Sequence, residues 1–320
     1  MSIVTTDNTQ AFPTESAQAQ ARTRTAAKAA GLSADFTQVL RFVPGNRIII
    51  HGTLHGQDAV FRLPLSAASH KQVTKEWTEL CRSHTYMTGD TNRVATPLHF
   101  SEDTGLMVIS FVPGTPLMKH LWSLDQDLRA ETFARAGAWL AAYMAPSLSN
   151  RPANTRHWLR RAKTAMESQP HAELSEIETR IFRQMRHLSK QIGDTDWRVS
   201  IPHGDFHPNN LILSGTTLTG IDTGGSSVAP ITKDMARALT HMARRGLTLS
   251  DQTKFGVDAR AYDALADALS LTKTERSLHL PYMICFETLF RVEHPDMPKR
   301  RVTLALNMAR ALLKDLRQIT

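Results

Sequence analysis

Cysteine is almost missing: Cys81 and Cys285 are the only two in 320 residues. They stand far apart and form no Cys-x-x-Cys or other metal or redox spacing. Both fall in apolar helical patterns, where a reduced cysteine behaves as a small buried hydrophobe. Long apolar runs are missing too. The longest, Ala138–Ala145, lies inside an expected helix and is far short of the ~18 residues of a membrane span. No repeat of solenoid period is visible. Met1–Gln20 is polar, carries Asp7 and Glu15, and has no apolar block behind a basic start, so no export signal is expected. These absences exclude a disulfide scaffold, a spanning helix and a repeat array. They lead us to expect a soluble protein of a reducing compartment, the cytoplasm.

What is present is a chain with 41% hydrophobic and 21% charged residues, long enough for two domains or two lobes. Lys and Arg total 38 against 30 Asp and Glu, a formal charge of +8. That balance suits an anionic partner, but no nucleic-acid-binding module accompanies it, so a solvated basic surface is the expectation. Arg156, Arg160, Arg161 and Lys163 form a basic helical run. It reads as a solvated face, with a phosphorylated or acidic substrate as the alternative. The five tryptophans read as core.

The first part of the chain is β-rich. A helix over Glu15–Ala30 belongs to an extension spanning residues 1–35. Strands are expected over Thr37–Val43, Asn46–Thr53 and Ala59–Leu65, separated by Pro44-Gly45 and His55-Gly56-Gln57-Asp58. A helix follows over Lys71–Ser83, then strands over Val94–Phe100 and Leu106–Val112. Pro113-Gly114 marks a boundary, giving a β-rich lobe over 36–114 and a mainly helical one over 115–320. The fold class expected is α+β.

The second lobe holds one β patch. It reads His203-Gly204-Asp205-Phe206-His207-Pro208-Asn209-Asn210, then a hairpin over Leu211–Ile221 ending at Asp222. Pro208 and the two asparagines disfavour helix, so a loop feeds the hairpin. Asp205, Asn210 and Asp222 can therefore converge at one end of it. Hard oxygen ligands of this kind suit Mg²⁺ carrying a polyphosphate, because Mg²⁺ keeps several waters and needs few protein ligands. A neighbouring aspartate can accept the proton of a hydroxyl.

This is Asp-x-x-x-x-Asn followed by an aspartate seventeen residues after the first, the arrangement of kinases. With His-Gly-Asp at 203–205 it resembles the aminoglycoside phosphotransferase and choline kinase family. The resemblance implies a bilobal protein-kinase-like fold, ATP and Mg²⁺ as cofactors, and a small hydroxylated molecule as acceptor. It further implies that Asp205 is the catalytic base or hydroxyl positioner, and that Asn210 and Asp222 hold the metal. Ala59–Pro64 resembles the family's third strand, which makes Arg62 the phosphate contact and Glu76, on the next helix, its partner. Glu79 competes for that role. Val108–Gly114 resembles the hinge, where the backbone of Phe111 and Val112 would meet adenine. Pro230 and Asp234 resemble a Pro-x-x-Asp stretch, here one residue longer, with Asp234 capping a helix and bracing the loop.

The chain also departs from the pattern. Arg62 stands where lysine is usual, no Gly-x-Gly-x-x-Gly covers the phosphates, and Thr223-Gly224-Gly225-Ser226-Ser227 follows Asp222. That altered segment keeps open an alternative, a nucleotide-binding pseudokinase with a regulatory or scaffolding role. A protein kinase is disfavoured because no Ala-Pro-Glu follows Asp222. Glu287 and Glu293 are left as either receivers of a cationic amine or solvated side chains. A sugar, an amino alcohol or an aminoglycoside-like molecule all remain as acceptor classes.

Overall fold

The computed structural model describes residues 11–193, 195–224 and 227–319. The expected frayed start, Met1–Pro13, falls largely outside the described residues, as do Gly225 and Ser226 of the altered segment. In chain order the elements are α1 (Pro13–Ala29), β1 (Ala34–Val43), β2 (Arg47–Leu54), β3 (Gln57–Pro64), α2 (Ala67–His84), β4 (Asn92–Val94), β5 (Pro97–Phe100), β6 (Met107–Ser110) and β7 (Thr115–Pro116). There follow α3 (Leu117–Trp122), α4 (Gln126–Met144), β8 (Ser149–Pro152), α5 (Thr155–Met166), α6 (Ala172–Ile192), β9 (Asp196–Ser200), β10 (Leu211–Ser214) and β11 (Thr217–Gly220). The chain closes with β12 (Ala229–Pro230), α7 (Thr232–Ala243), β13 (Thr253–Lys254), β14 (Val257–Asp258), α8 (Ala259–Ala268), α9 (Leu280–Phe290) and α10 (Lys299–Ile319). Two compact units result: Met1–Pro116 with Leu211–Ser226, and Leu117–Asn210 with Ser227–Thr320.

The first unit is built on a five-stranded antiparallel sheet in the order β1-β2-β3-β6-β5. Its two faces follow from alternation. Along β2, Ile48, Ile50, Gly52 and Leu54 are buried while Arg47, Ile49, His51 and Thr53 are half-buried. The turn to β3 is only His55-Gly56, both at positive φ (50° and 80°), as a two-residue hairpin of the I′ kind requires. Gln57 and Asp58, read from sequence as turn, therefore belong to the strand. The buried face meets α1. Ala19, Ala26 and Ala27 pack among Phe42, Ile48, Ile50, Phe61 and Leu63. Small residues let that helix lie close to the sheet, so the extension is part of this unit's core. The other face carries Arg62, opposite Ile49 on β2 and Met107 on β6.

α2 begins at Ala67, earlier than its apolar period suggests, because Ser66 caps it. The Ser66 hydroxyl accepts from the Ser69 amide at 3.3 Å, and the Ser69 hydroxyl accepts from the Ser66 amide at 3.0 Å. The hairpin β10–β11, read from sequence with the second lobe, groups with the first unit. β11 pairs in parallel with β4, Leu218 opposite Asn92, and β10 pairs with β7. Such pairing joins strands roughly a hundred residues or more apart and leaves no local trace.

The second unit is helical around a core of large side chains. Phe133, Trp139 and Tyr143 of α4, Tyr262 of α8, and Tyr282 and Phe286 of α9 are all fully buried. The periodicity also predicts a helix over Lys273–Arg291, and the chain is helical from Lys273 to Phe290, with one wide π turn, Glu275–His279, before α9. Pro281 lacks an amide and crowds the carbonyl a turn earlier, which favours the widened turn. The strands β8, β9 and β12 form a small sheet in which Ser200 lies opposite Ala229. That pairing sets the start of the 201–210 loop beside the start of α7.

Candidate active site

The loop leaving β9 is pinned along its length. His203 is fully buried, with its ring edge-on to Trp139 at 5.8 Å and Phe206 at 6.0 Å between centroids. The amides of His203 and Gly204 donate to the buried Asp234 carboxylate at 2.6 and 3.2 Å. Asp234 thus braces the loop. It does not cap its own helix, which starts at Thr232 with no side-chain cap. Gly204 lies at φ 91°, a conformation that strains any residue with a Cβ. The Lys233 ammonium donates to its carbonyl at 3.2 Å. Asp205, the next residue, is presented at the end of this fixed frame.

Two arginines hold the Asp205 carboxylate. Arg237 Nε of α7 lies 2.7 Å from Oδ1, and Arg291 Nη2, just past α9, lies 3.2 Å from the same oxygen. His207 Nε2 lies 3.4 Å from Oδ2. Burial alone would raise the Asp205 pKa. The His207 hydrogen bond and the charges of Arg237 and Arg291 outweigh burial and hold the group far below the usual carboxylate range. Asp205 is therefore ionised at any physiological pH. His207 stacks on His241 at 3.8 Å between centroids, and burial depresses the pKa of both. Asn210 Nδ2 donates to the Asp205 backbone carbonyl at 3.0 Å. That bond fixes the amide's orientation and turns its Oδ1 away as an available oxygen ligand.

In the first unit the expected basic residue and its partner do meet. Arg62 is buried on β3, with Nη1 2.5 Å from Glu76 Oε2 and 3.7 Å from Asp222 Oδ1. Gln72 Nε2 donates to the other Glu76 oxygen at 3.0 Å. Burial raises the Glu76 pKa, and Arg62 offsets only part of that. Glu79, the competitor for the role, binds Arg82 through both oxygens at 2.6 and 2.8 Å. Asp222 is half-exposed and left-handed at φ 57°, beyond the end of β11 at Gly220. The hairpin sets Leu211 opposite Gly220. Asn210, which precedes Leu211, and Asp222, which follows Gly220, therefore leave the hairpin at the same end.

Phe111 and Val112 follow β6, which ends at Ser110. The Phe111 amide already donates to the Asp58 carbonyl at 3.1 Å, and its ring lies 4.5 Å from that of His51. Of the two residues read as a hinge, the Phe111 carbonyl and the Val112 amide and carbonyl remain as candidate backbone contacts.

Three arginines near these groups escape the sequence reading. Arg237 stands three residues after Asp234, on the same face of α7, and that spacing could have exposed it. Arg291 reaches Asp205 from 86 positions away, and nothing local marks it. Arg47 on β2 is affected by Arg62, Asp222 and Glu76, and its Nε is buried without a hydrogen bond. Glu287 and Glu293 are buried and ion-paired, so neither is a solvated side chain, and both Glu287 oxygens lack a hydrogen bond. Glu287 lies 3.6 Å from Arg291 and 3.9 Å from Lys233, and Glu293 lies 3.3 Å from Arg244 and 3.2 Å from Arg301.

Comparison with known proteins agrees with this fold. Residues 39–268 match the model of the phosphotransferase enzyme family APH, so the chain belongs to that family of enzymes. It is a small-molecule kinase of mixed α+β, protein-kinase-like fold. Its structure is similar to that of the aminoglycoside phosphotransferase APH(4)-Ia at 12% identity, with a TM-score of 0.62 over 93% of this chain and 99% of that one. A choline/ethanolamine kinase family protein from Mesorhizobium loti gives 13% identity, a TM-score of 0.59, and coverage of 95% and 99%. A glucosamine kinase gives 15%, 0.53, and coverage of 91% and 82%. A sequence search of curated proteins returned no significant match. No helix among the described residues is long and apolar enough to cross a membrane.

Proposed function

We propose that this enzyme transfers the γ-phosphoryl group of ATP, with Mg²⁺, to a hydroxyl of a small molecule. The observation that carries the proposal is the Asp205 carboxylate, ionised and held at the end of a loop braced by Asp234, with Asn210 locked onto its backbone. The hydroxyl oxygen forms a bond to phosphorus as the bond from the γ-phosphorus to the bridging oxygen breaks. The electron pair leaves with ADP. Asp205 orients the hydroxyl and takes up its proton late, since a carboxylate so strongly stabilised in ionised form is a weak base.

The residues present fit the cofactors. Arg47 and Arg62 each keep a buried Nε without a hydrogen-bond partner, and these are donors suited to phosphate oxygens. Asn210 Oδ1 and the half-exposed Asp222 would hold the metal. Among the described residues no three His, Cys, Asp or Glu side chains form a metal site of their own, so the remaining ligands would be phosphates and water. A bound Mg²⁺ would neutralise phosphate charge. The Phe111 carbonyl and the Val112 amide are the proposed adenine contacts, and Glu76 fixes the Arg62 guanidinium.

The test is ADP release with ATP across sugars, amino alcohols, aminoglycosides and hydroxy acids, with and without EDTA. Acceptor-dependent release that EDTA abolishes, and that Asp222→Ala loses and recovers only at raised Mg²⁺, supports the reading. ATP binding with no release on any acceptor favours the pseudokinase, whose motivating feature is the segment after Asp222.

A further inference from the structure

The charges around Asp205 are unevenly paired. Each carboxylate there already has its cations: Asp205 has Arg237 and Arg291, Asp234 has Lys233, and Glu287 has Lys233 and Arg291. The cation left over is Arg161 on α5. Among the described residues it has no hydrogen-bond or ion-pair partner. Its guanidinium lies instead over an aromatic shelf, with Cζ 4.7 Å from the Phe290 ring centroid, 5.5 Å from Phe286 and 5.4 Å from Trp158. Arg291 Cζ lies 5.8 Å from that same Phe290 ring. Of the basic run read as a solvated face, Arg156, Arg160 and Lys163 are exposed and Arg161 is not.

We propose that the acceptor carries an oxyanion, a carboxylate or a phosphate, close to the hydroxyl that is phosphorylated, and that Arg161 and Arg291 bind it. This rests on the reading of Asp205 as the group that meets the hydroxyl. Arg291 joins the two ends, since it touches Asp205 and shares Phe290 with Arg161. A guanidinium matches carboxylate and phosphate oxygens with two parallel N–H donors. Stacking on rings fixes its plane beforehand, so less side-chain freedom is lost when an anion binds. A cationic acceptor would meet the reverse. It would find two guanidiniums, a like-charge arrangement that disfavours binding. The carboxylate beside them, Glu287, is buried and already ion-paired with Lys233 and Arg291. Burial lowers the Arg161 pKa, against an opposing effect of the Glu287 charge; a guanidinium stays charged in proteins.

The experiment is calorimetric titration of the whole protein, without nucleotide, by four probes: glycerate, glucose 6-phosphate, glucose and ethanolamine. It is repeated on Arg161→Gln and Arg161→Lys, whose melting temperatures are checked first. At least one acid is expected to bind roughly tenfold or more tightly than glucose and ethanolamine. Arg161→Gln should remove that advantage and Arg161→Lys restore part of it. Which acid wins separates a carboxylate from a phosphate. The proposal is overturned if ethanolamine or glucose binds as tightly as both acids, if neither acid binds at millimolar concentration, or if Arg161→Gln leaves acid binding unchanged. ADP release is then measured on the same probes with ATP and Mg²⁺. Acid binding through Arg161 with no turnover would uphold the anion site and count against the phosphotransferase reading. Turnover on ethanolamine in preference to the acids would do the opposite.

Discussion

The two charged clusters of this enzyme are built in opposite proportions. In the first unit one buried guanidinium, Arg62, is held between two carboxylates, Glu76 and Asp222. In the second unit one carboxylate, Asp205, is held between two guanidiniums, Arg237 and Arg291. The first arrangement keeps an arginine fixed and partly neutralised on a rigid strand, aided by a capped helix. The second keeps an aspartate ionised and leaves positive charge in excess around it. The first cluster stakes more stability on its pairing, because both Arg62 and Glu76 are buried. The second stakes more activity, because Asp205 is half-exposed.

Asp205→Asn should give the largest effect. Acceptor-dependent turnover is expected to fall by about 10²–10⁴-fold, the range for a lost acid–base group, with ATP affinity unchanged by titration. Arg62→Ala should cost about 3–5 kcal/mol in urea unfolding, because it strands the buried Glu76 carboxylate, and Glu76→Ala should cost less, because Asp222 still faces Arg62. A combined Arg62→Met, Glu76→Leu variant should recover most of that stability and none of the nucleotide affinity. If Asp205→Asn destabilises as much as Arg62→Ala, the contrast between the clusters fails.

Arg237→Ala should lower turnover by roughly tenfold by loosening Asp205, and Arg237→Lys should recover part of it, since lysine keeps the charge without the fork. Acid should weaken the fold through the buried, stacked His207 and His241. Their pKa values lie below the ordinary 6.5, so as pH falls below that value the unfolded chain takes up protons that the folded one refuses. Stability should then drop by up to about 1.4 kcal/mol per pH unit for each histidine, read from urea midpoints between pH 7 and pH 5. The smallest effect expected is that of Gly224→Ala. Its Cβ would meet Glu76 Cγ at 3.6 Å, an ordinary contact, so stability should change by no more than about 0.5 kcal/mol.

Legibility in the sequence follows the same division. Asp205, Asn210 and Asp222 fall in one short pattern, and Arg62 and Glu76 fall one strand and one helix apart, so local spacing exposes them. The long helices and the five strands of the main sheet are marked by period and turn residues. Glu76 and Glu79 could not be separated by pattern, because the choice depends on which face of α2 meets β3. Arg291 and Arg161 reach their places through helix packing alone. The hairpin's allegiance to the first unit depends on β4 and β7, two strands too short to show a period.

The most direct measurement is phosphorus NMR of the enzyme with ATP, Mg²⁺ and whichever acceptor drives ADP release. A phosphomonoester signal is expected to grow in step with ADP and to be lost in Asp205→Asn. Release of ADP with inorganic phosphate and no ester, or an ester formed equally well by Asp205→Asn, would contradict the proposed transfer.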